Sequence, residues 1–281
     1  MNNTNKTSKA FEQLTSSTEL IEYLDQKARL NSSQYVYQYT TISSLVSMFR
    51  SHTLHLGNAK YMNDQLEYQN GSYRAWKNLF FSCFMLEDKE SIGMWSMYAQ
   101  PWQEGVKIAI SKDALRQMVS ETTEIMELSQ DTKQPTGRSI NTNNGFRLWI
   151  SAVAYSNYDG IDLKKENEQL NWGKQSNDKI HGAPHKPELT GYIKDMAWSY
   201  EKEIRIKAQF DNWMNYERVA IELPEYVVDS MIITPSPLFE GDFKKRLEDE
   251  ISRQIKTEKS IFAEKLKIKT ACDRCSIKNV K

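Results

Sequence analysis

Between Trp198 and Ile206 the chain reads Trp-Ser-Tyr-Glu-Lys-Glu-Ile-Arg-Ile, and this run limits the fold more than any other. Its alternation predicts a strand over Trp198–Phe210, because successive side chains leave a strand on opposite faces. Tyr200, Lys202, Ile204 and Ile206 then share one face. Glu201, Glu203 and Arg205 share the other, each about 7 Å from the next. On a solvated edge such charges form ordinary ion pairs worth little. The Trp, Tyr and Ile around them instead set the strand inside the fold, where a carboxylate needs a partner or a purpose.

The rest of the chain supplies short strands and helices in irregular order. A hydroxyl cap at Ser17 opens a helix with Leu20, Ile21 and Leu24 on one face. Tyr35–Tyr39 reads as a strand. Thr40 and Thr41 cap a short amphipathic helix through Ile42, Leu45, Val46 and Phe49. Leu54–Leu56 is a second strand, and the polar turn at 61–67 opens a helix running through Trp76. Leu79–Met85 has the continuous apolar character of a buried strand. Further on, a helix is expected over Glu90–Ala99, a strand over Gly105–Ile110, a helix over 112–128, an exposed loop over 129–146 and a strand over Leu148–Tyr155. Residues 157–190 form a polar insertion. The strands Val219–Leu223 and Ser230–Thr234 follow, then a charged helix over 239–257. Strands and helices that do not alternate regularly predict an α+β fold, a mixed sheet core with flanking helices, and not a doubly wound sheet. The expected organisation is an N-terminal helical extension over 1–34, a main domain over 35–258 containing the insertion, and a tail over 259–281.

The 281 residues are long enough to bury a core, and 39% hydrophobic and 11% aromatic residues exclude a disordered chain. Basic and acidic residues balance at 37 each, which excludes bulk electrostatic binding of nucleic acid but leaves a local basic groove open. No apolar run approaches the length of a membrane span, and the N-terminus lacks a signal-peptide core, so the expected setting is the cytoplasm without a membrane partner. Cys272 and Cys275 form a lone Cys-x-x-Cys. A closed zinc site needs four ligands, and no second pair or nearby His supplies them, so no metal is expected there. A Gly-rich phosphate loop, a Gly-x-Ser-x-Gly elbow and a His-Glu-x-x-His helix are all missing, which argues against nucleotide kinases, serine hydrolases and zincins.

Besides the Glu-x-Glu-x-Arg strand, three segments are candidates for chemistry. Asn63-Asp64-Gln65-Leu66-Glu67 reads either as a capping box or as a site. Met94-Trp95-Ser96-Met97-Tyr98-Ala99 carries Trp and Tyr on one helical face and is most simply core. Tyr37-Gln38-Tyr39-Thr40 lies at a strand-to-helix junction, where backbone N–H groups and a hydroxyl can hold an anion or a nucleotide edge.

In order, Tyr37-Gln38-Tyr39, Leu54-His55-Leu56, Met62-Asn63-Asp64-Gln65-Leu66-Glu67, Ser82-Cys83-Phe84, Met94–Ala99 and Trp198–Arg205 resemble one bacterial family of unknown function across roughly residues 35–240. Its pattern has Lys at Gln38, and Phe, Pro and Phe at Met62, Gln65 and Leu66. That family in turn looks distantly similar to ADP-ribosyltransferases of the DarT type. They share an opening strand with an aromatic-polar-x-Thr motif and a late strand bearing a catalytic Glu, with His at the position of Gln38. The resemblance implies an ADP-ribosyltransferase-like fold that uses NAD as substrate. It casts Glu203 as the carboxylate beside the ribose and Glu201 as the group that orients or deprotonates the acceptor. It assigns Gln38, Tyr39 and Thr40 to nicotinamide, Arg205 to Glu203 or the diphosphate, and Asn63 and Asp64 to the NAD side.

The expectation is therefore a toxin or phage-defence effector that modifies a nucleic-acid base, with a neutralising antitoxin as partner. Two rivals stand beside it: a metal-dependent nuclease in which Asp64, Glu201 and Glu203 hold Mg²⁺, and a binding module without turnover.

Overall fold

The computed structural model describes residues 17–30, 33–64, 78–87, 89–129, 135–141, 145–156, 191–211 and 216–263. The expected helix through Trp76, the insertion over 157–190 and the Cys272–Cys275 pair lie outside them. In chain order the elements are α1 (Ser17–Leu30), β1 (Tyr35–Thr41), α2 (Ile42–Ser51), β2 (Thr53–Asn58), β3 (Leu79–Met85), α3 (Ile92–Tyr98), β4 (Gly105–Ser111), α4 (Lys112–Glu121), β5 (Glu124–Leu128), β6 (Pro135–Asn141), β7 (Phe146–Ala152), β8 (Ala154–Ser156), β9 (Ile193–Asp195), β10 (Glu203–Phe210), β11 (Arg218–Glu222), α5 (Glu225–Asp229), β12 (Ile232–Pro235), α6 (Phe243–Ile251) and β13 (Lys256–Thr257). Single 3-10 turns lie at Ala59–Tyr61, Trp102–Glu104 and Met196–Glu201. This is an α+β protein with parallel and antiparallel pairings. Among the described residues no helix is long and apolar enough to cross a membrane.

The chain divides into two units. The first comprises Met1–Ser32, His55–Leu86 and Val119–Ile221. Its central strand is β10, antiparallel to β3 from Glu203↔Met85 to Gln209↔Leu79, and to β7 from Ile204↔Ala152 to Phe210↔Phe146. Ile204, Ile206 and Ala208 on one face of β10 are fully buried. Phe210 is buried too, and its ring meets Phe80 edge-on at 5.4 Å. β2 joins β3 through Gly57↔Phe81 and Asn58↔Phe80, while β11, β5 and β6 form an antiparallel run. β8 and β9 make a separate parallel pair. In α1, Leu24 and Ala28, four residues apart, supply the buried stripe.

The second unit comprises Ser33–Leu54, Glu87–Met118 and Glu222–Lys281. There β4 pairs antiparallel with β1 and β12, and β12 pairs parallel with β13. Thr41 caps α2 by accepting the Ser44 N–H, and Ile42, Leu45, Val46, Met48 and Phe49 form the buried face expected of that helix. The carboxylate of Glu90 ties distant segments together. It accepts from Trp95 Nε1 (3.2 Å), Ser260 Oγ (2.7 Å) and the Ile261 N–H (3.1 Å), with Lys107 Nζ at 3.7 Å.

Three expectations are corrected. The helix over 112–128 ends at Glu121, and Glu124–Leu128 is a strand. Thr122 and Thr123 are β-branched and poor helix formers, and a partner strand decides the outcome. That partner, β6, lies within the expected loop over 129–146 and pairs through Ile125↔Ile140. The helix over 239–257 is confined to Phe243–Ile251. Asp242 caps its start, and Ser252 closes it in the left-handed region (φ 55°), donating its N–H to Glu248 O.

Candidate active site in the first unit

The Trp198–Phe210 segment is not one strand. Asp195 opens a 3-10 turn over Met196–Glu201 by accepting the Ala197 N–H on Oδ1 at 2.8 Å. Lys202 then adopts φ 43°, ψ 54°, and β10 begins only at Glu203. The left-handed residue costs roughly 1–2 kcal/mol for a side chain with a Cβ. The joint is held because Leu86 donates its N–H to Lys202 O at 3.0 Å. Glu201 therefore sits on the turn and not on the face of β10 expected for it. What β10 does present on that face is Glu203, Arg205 and Lys207, all buried.

The turn nevertheless carries Glu201 back to Glu203. Lys194 of β9 lies between them, with Nζ 2.5 Å from Glu201 Oε2 and 3.5 Å from Glu203 Oε2. Arg205 grips Glu203 with both arms of its guanidinium, Nε to Oε1 at 2.7 Å and Nη2 to Oε2 at 2.8 Å. Its remaining arm donates to Gly191 O at 2.9 Å. Exposures of 3% for Glu201, 4% for Glu203, 1% for Arg205 and 2% for Lys194 put the whole quartet in the interior. Two carboxylates and two cations balance in charge, which is what lets them persist there.

Aromatic rings and a thiol enclose the quartet. Lys194 Nζ lies 4.5 Å from the Trp198 ring centre, and the Arg205 guanidinium 5.2 Å from that of Phe81. Cys83, opposite Arg205 in the sheet, hydrogen-bonds Glu203 through its thiol. The Glu203 N–H donates to Tyr155 Oη at 2.8 Å, and its carbonyl accepts from Val153 at 2.9 Å. One step further along the same face, Lys207 Nζ lies 4.3 Å from the Tyr192 ring centre and 5.0 Å from that of Trp149. The Trp149 indole N–H donates to Tyr192 Oη.

Protonation states follow from this packing. Burial alone would raise the Glu203 pKa, but Arg205 and Lys194 outweigh it and hold the carboxyl below its ordinary value. Burial, reinforced by the Glu203 charge, pushes the Cys83 thiol and the Tyr155 phenol upward. Burial also pushes Tyr192 up to about 12. At neutral pH Glu203 is thus an anion next to a neutral thiol and a neutral phenol.

Gly191 is required where it stands. Its φ is +79°, and a Cβ there would lie 2.5 Å from Phe81 Cζ and 2.8 Å from Cε1. Gly191→Ala should cost about 1–3 kcal/mol, from the left-handed backbone and from displacement of the Phe81 ring that covers Arg205. Urea unfolding of the variant reads this directly, and an unchanged midpoint would remove Gly191 from the support of the site.

Of the residues expected from sequence, Glu201, Glu203 and Arg205 come together. Asp64 is buried and accepts the Asp195 N–H, at a long 3.5 Å. Gln65, Leu66 and Glu67, and with them the capping box, lie outside the described residues. Among the described residues no group of three His, Cys, Asp or Glu side chains that could hold a metal ion is found. The place for an ion between the two glutamates is taken by the Lys194 ammonium. Gln38, Tyr39 and Thr40 lie on β1 of the second unit. There the Tyr39 ring meets Trp95 edge-on at 4.9 Å, and its hydroxyl accepts the Ser91 N–H at 3.2 Å. Trp95 is core, as its helical spacing predicted.

Sequence reasoning missed Lys194, Tyr155 and Cys83 as parts of the site. For Lys194 a signal existed: in Tyr192-Ile193-Lys194-Asp195 it stands beside two buried apolar residues, where a lysine needs counter-charges.

The family model described as a protein of unknown function, DUF2971, matches residues 94–206, less than half of the 281. The match runs from Met94 of the Met-Trp-x-x-Tyr-Ala segment to Ile206, just beyond Arg205. No curated protein matches the chain. Among solved structures, Thermus sp. 2.9 DarT in complex with carba-NAD+ aligns with 80% of this chain and 95% of its own, at 11% identity and a TM-score of 0.32.

Proposed function

We propose that the protein transfers ADP-ribose from NAD, with Glu203 as the carboxylate that faces the ribose. One observation above all supports this reading: Glu203 is buried, ionised and fixed in orientation by Arg205 and Lys194, beside a second buried carboxylate, Glu201. In the transfer, the bond between the nicotinamide nitrogen and ribose C1′ breaks, and its electron pair leaves with nicotinamide. Positive charge then develops on the ribose, as in glycoside cleavage. A carboxylate oriented in advance in a dry site stabilises that charge far more than water-exposed groups do. Its lowered pKa keeps Glu203 charged for this role throughout the neutral range. As the acceptor atom bonds to C1′ it loses a proton, and Glu201 is the group we assign to receive it. Arg205 is the positioning residue for Glu203.

The acceptor in this reading is a nucleic-acid base, and the setting a cytoplasmic toxin or defence effector restrained by an antitoxin. Both follow from the resemblance to DarT-type enzymes stated above. The test is transfer from NAD labelled in its adenylate, offered in parallel to RNA, DNA and cell protein with EDTA present. Label should enter a nucleic-acid fraction, with nicotinamide released in equal amount. Absence of label in every fraction together with intact NAD overturns the reading.

A further inference from the structure

The carboxylate of Glu203 is already saturated by its neighbours. An ionised carboxylate offers about four lone-pair directions on its two oxygens. Around Glu203 these are met by Arg205 Nε at 2.7 Å, Arg205 Nη2 at 2.8 Å, Lys194 Nζ at 3.5 Å and the Cys83 thiol. A carboxylate that is to face a ribose must lose one of these partners, and they differ in how easily they leave. Arg205 makes two charge-assisted bonds to Glu203 from the same strand and a third to Gly191 O. Cys83 is held opposite Arg205 by the register of β3 with β10. Lys194 is held differently. Its bond to Glu203 is at the outer limit of a hydrogen bond, while its ammonium lies 2.5 Å from Glu201 Oε2. It can leave Glu203 and still have a carboxylate to go to.

We infer that Lys194 gates Glu203: its ammonium stands in for the cation of the substrate and withdraws onto Glu201 when NAD binds. This role rests on the transferase reading and names what restrains that site. Charge argues the same way as the lone pairs. The nicotinamide of NAD is a cation, and its charge passes to the ribose as the bond between them breaks. A lysine ammonium on the same carboxylate opposes both. Withdrawal removes that opposition and frees one lone pair, while the two bonds from Arg205 keep the carboxylate aimed. The move strands no charge, because Lys194 stays with Glu201 and Glu203 gains the cation of the substrate. Without substrate both carboxylates remain neutralised in the interior, and the apparent affinity for NAD is lowered by the free energy of the exchange.

The test is steady-state release of nicotinamide from NAD to water by the full-length protein and its variants. Lys194→Met keeps an unbranched side chain without the charge. It should lower the KM for NAD about tenfold, the scale of one charge-assisted hydrogen bond that no longer has to be displaced. Lys194→Arg restores a cation and should return the KM to the wild-type value or above it. Glu201→Gln acts in the opposite direction, because it removes the carboxylate onto which Lys194 withdraws, and the KM should rise. A purely structural role for the lysine would be damaged by either substitution, moving the KM the same way in both. Lys194→Met leaves Glu201 without the ammonium it bonds, so the double variant Lys194→Met with Glu201→Gln, which removes both charges, is measured as well. Its KM should fall below that of Glu201→Gln. Nicotinamide release with a KM that Lys194→Met leaves unchanged or raises, or a double variant no lower than Glu201→Gln if the single does not fold, overturns the gate alone. A wild type that neither releases nicotinamide nor binds NAD in calorimetry overturns the transferase reading, and the gate with it.

Discussion

Arg205→Leu should lower the unfolding free energy by about 3–5 kcal/mol, the cost of leaving one member of a buried ion pair without its partner. The loss of attraction between Arg205 and Glu203 is the smaller part of the argument. In the wild type the desolvation of Glu203 is offset by two short bonds from one guanidinium. After the substitution the carboxylate stays in the interior with Lys194 at 3.5 Å and the Cys83 thiol. Gly191 O loses the donor it has in Arg205 as well. The corresponding double variant, Glu203→Leu with Arg205→Leu, removes both charges and should recover part of the loss. Urea unfolding of the two variants separates an unpaired charge from a simple packing defect, for which the double variant would be the worse of the two.

The pH dependence supplies an independent check on the same pair. Glu203 has a folded pKa below the 4.5 of an ordinary glutamate, so the unfolded chain takes up its proton first as pH falls. Its contribution is fully present above pH 4.5 and is lost below that, as pH falls through the lowered folded value. Arg205→Leu removes the cation with the larger effect on that pKa and leaves burial acting the other way. The acid limb of stability attributable to Glu203 should therefore flatten. Unfolding midpoints measured between pH 3 and 6 decide this, and a limb as steep as that of the wild type would contradict the assignment.

How much of this was legible beforehand depends on the kind of residue. β1, α2, β3 and β4 have strong alternation, a hydroxyl cap or continuous apolar runs, and they fold as expected. β5 and β6 were not legible because Glu124–Leu128 fits a helical stripe as well as a strand, and only Ile140 across the ladder decides between them. The acidic strand is the more instructive failure. Period two correctly put Glu203 and Arg205 on one face, but could not see that Lys202 turns through the left-handed region. The pattern therefore carried the strand back past Glu203, through the turn that holds Glu201. That Glu201 reaches Glu203 all the same is due to Lys194, which stands on β9, the strand just before the turn. The pairing spans only seven and nine residues, but it depends on the 3-10 turn and on the left-handed Lys202, which no periodicity announces, so its trace is a lysine among apolar neighbours. Burial of charge was thus inferable, and the identity of its partner was not.

The second large effect falls on activity. Under the transferase reading Glu203→Gln should reduce kcat for ADP-ribose transfer by a factor of about a hundred or more, the scale of losing a main preorganised electrostatic group. The KM for NAD should move little, because glutamine keeps the volume and one acceptor oxygen, and what vanishes is the interaction specific to the charged transition state. The variant also presents an amide NH₂ to a site built from donors, since Arg205, Lys194 and Cys83 all point at this side chain. It will be less stable, so rates are compared well below its unfolding midpoint and per folded molecule. Glu203→Asp guards against misreading a folding defect. It retains the charge and part of the grip of Arg205, yet draws the carboxylate back by one methylene, which should preserve stability better than glutamine while still lowering kcat. Glu201→Gln should depress transfer to the acceptor more than release of nicotinamide to water, as expected of a group that serves the incoming atom. A folded Glu203→Gln protein that transfers ADP-ribose at the wild-type rate would leave the quartet as a structural ion cluster and nothing more.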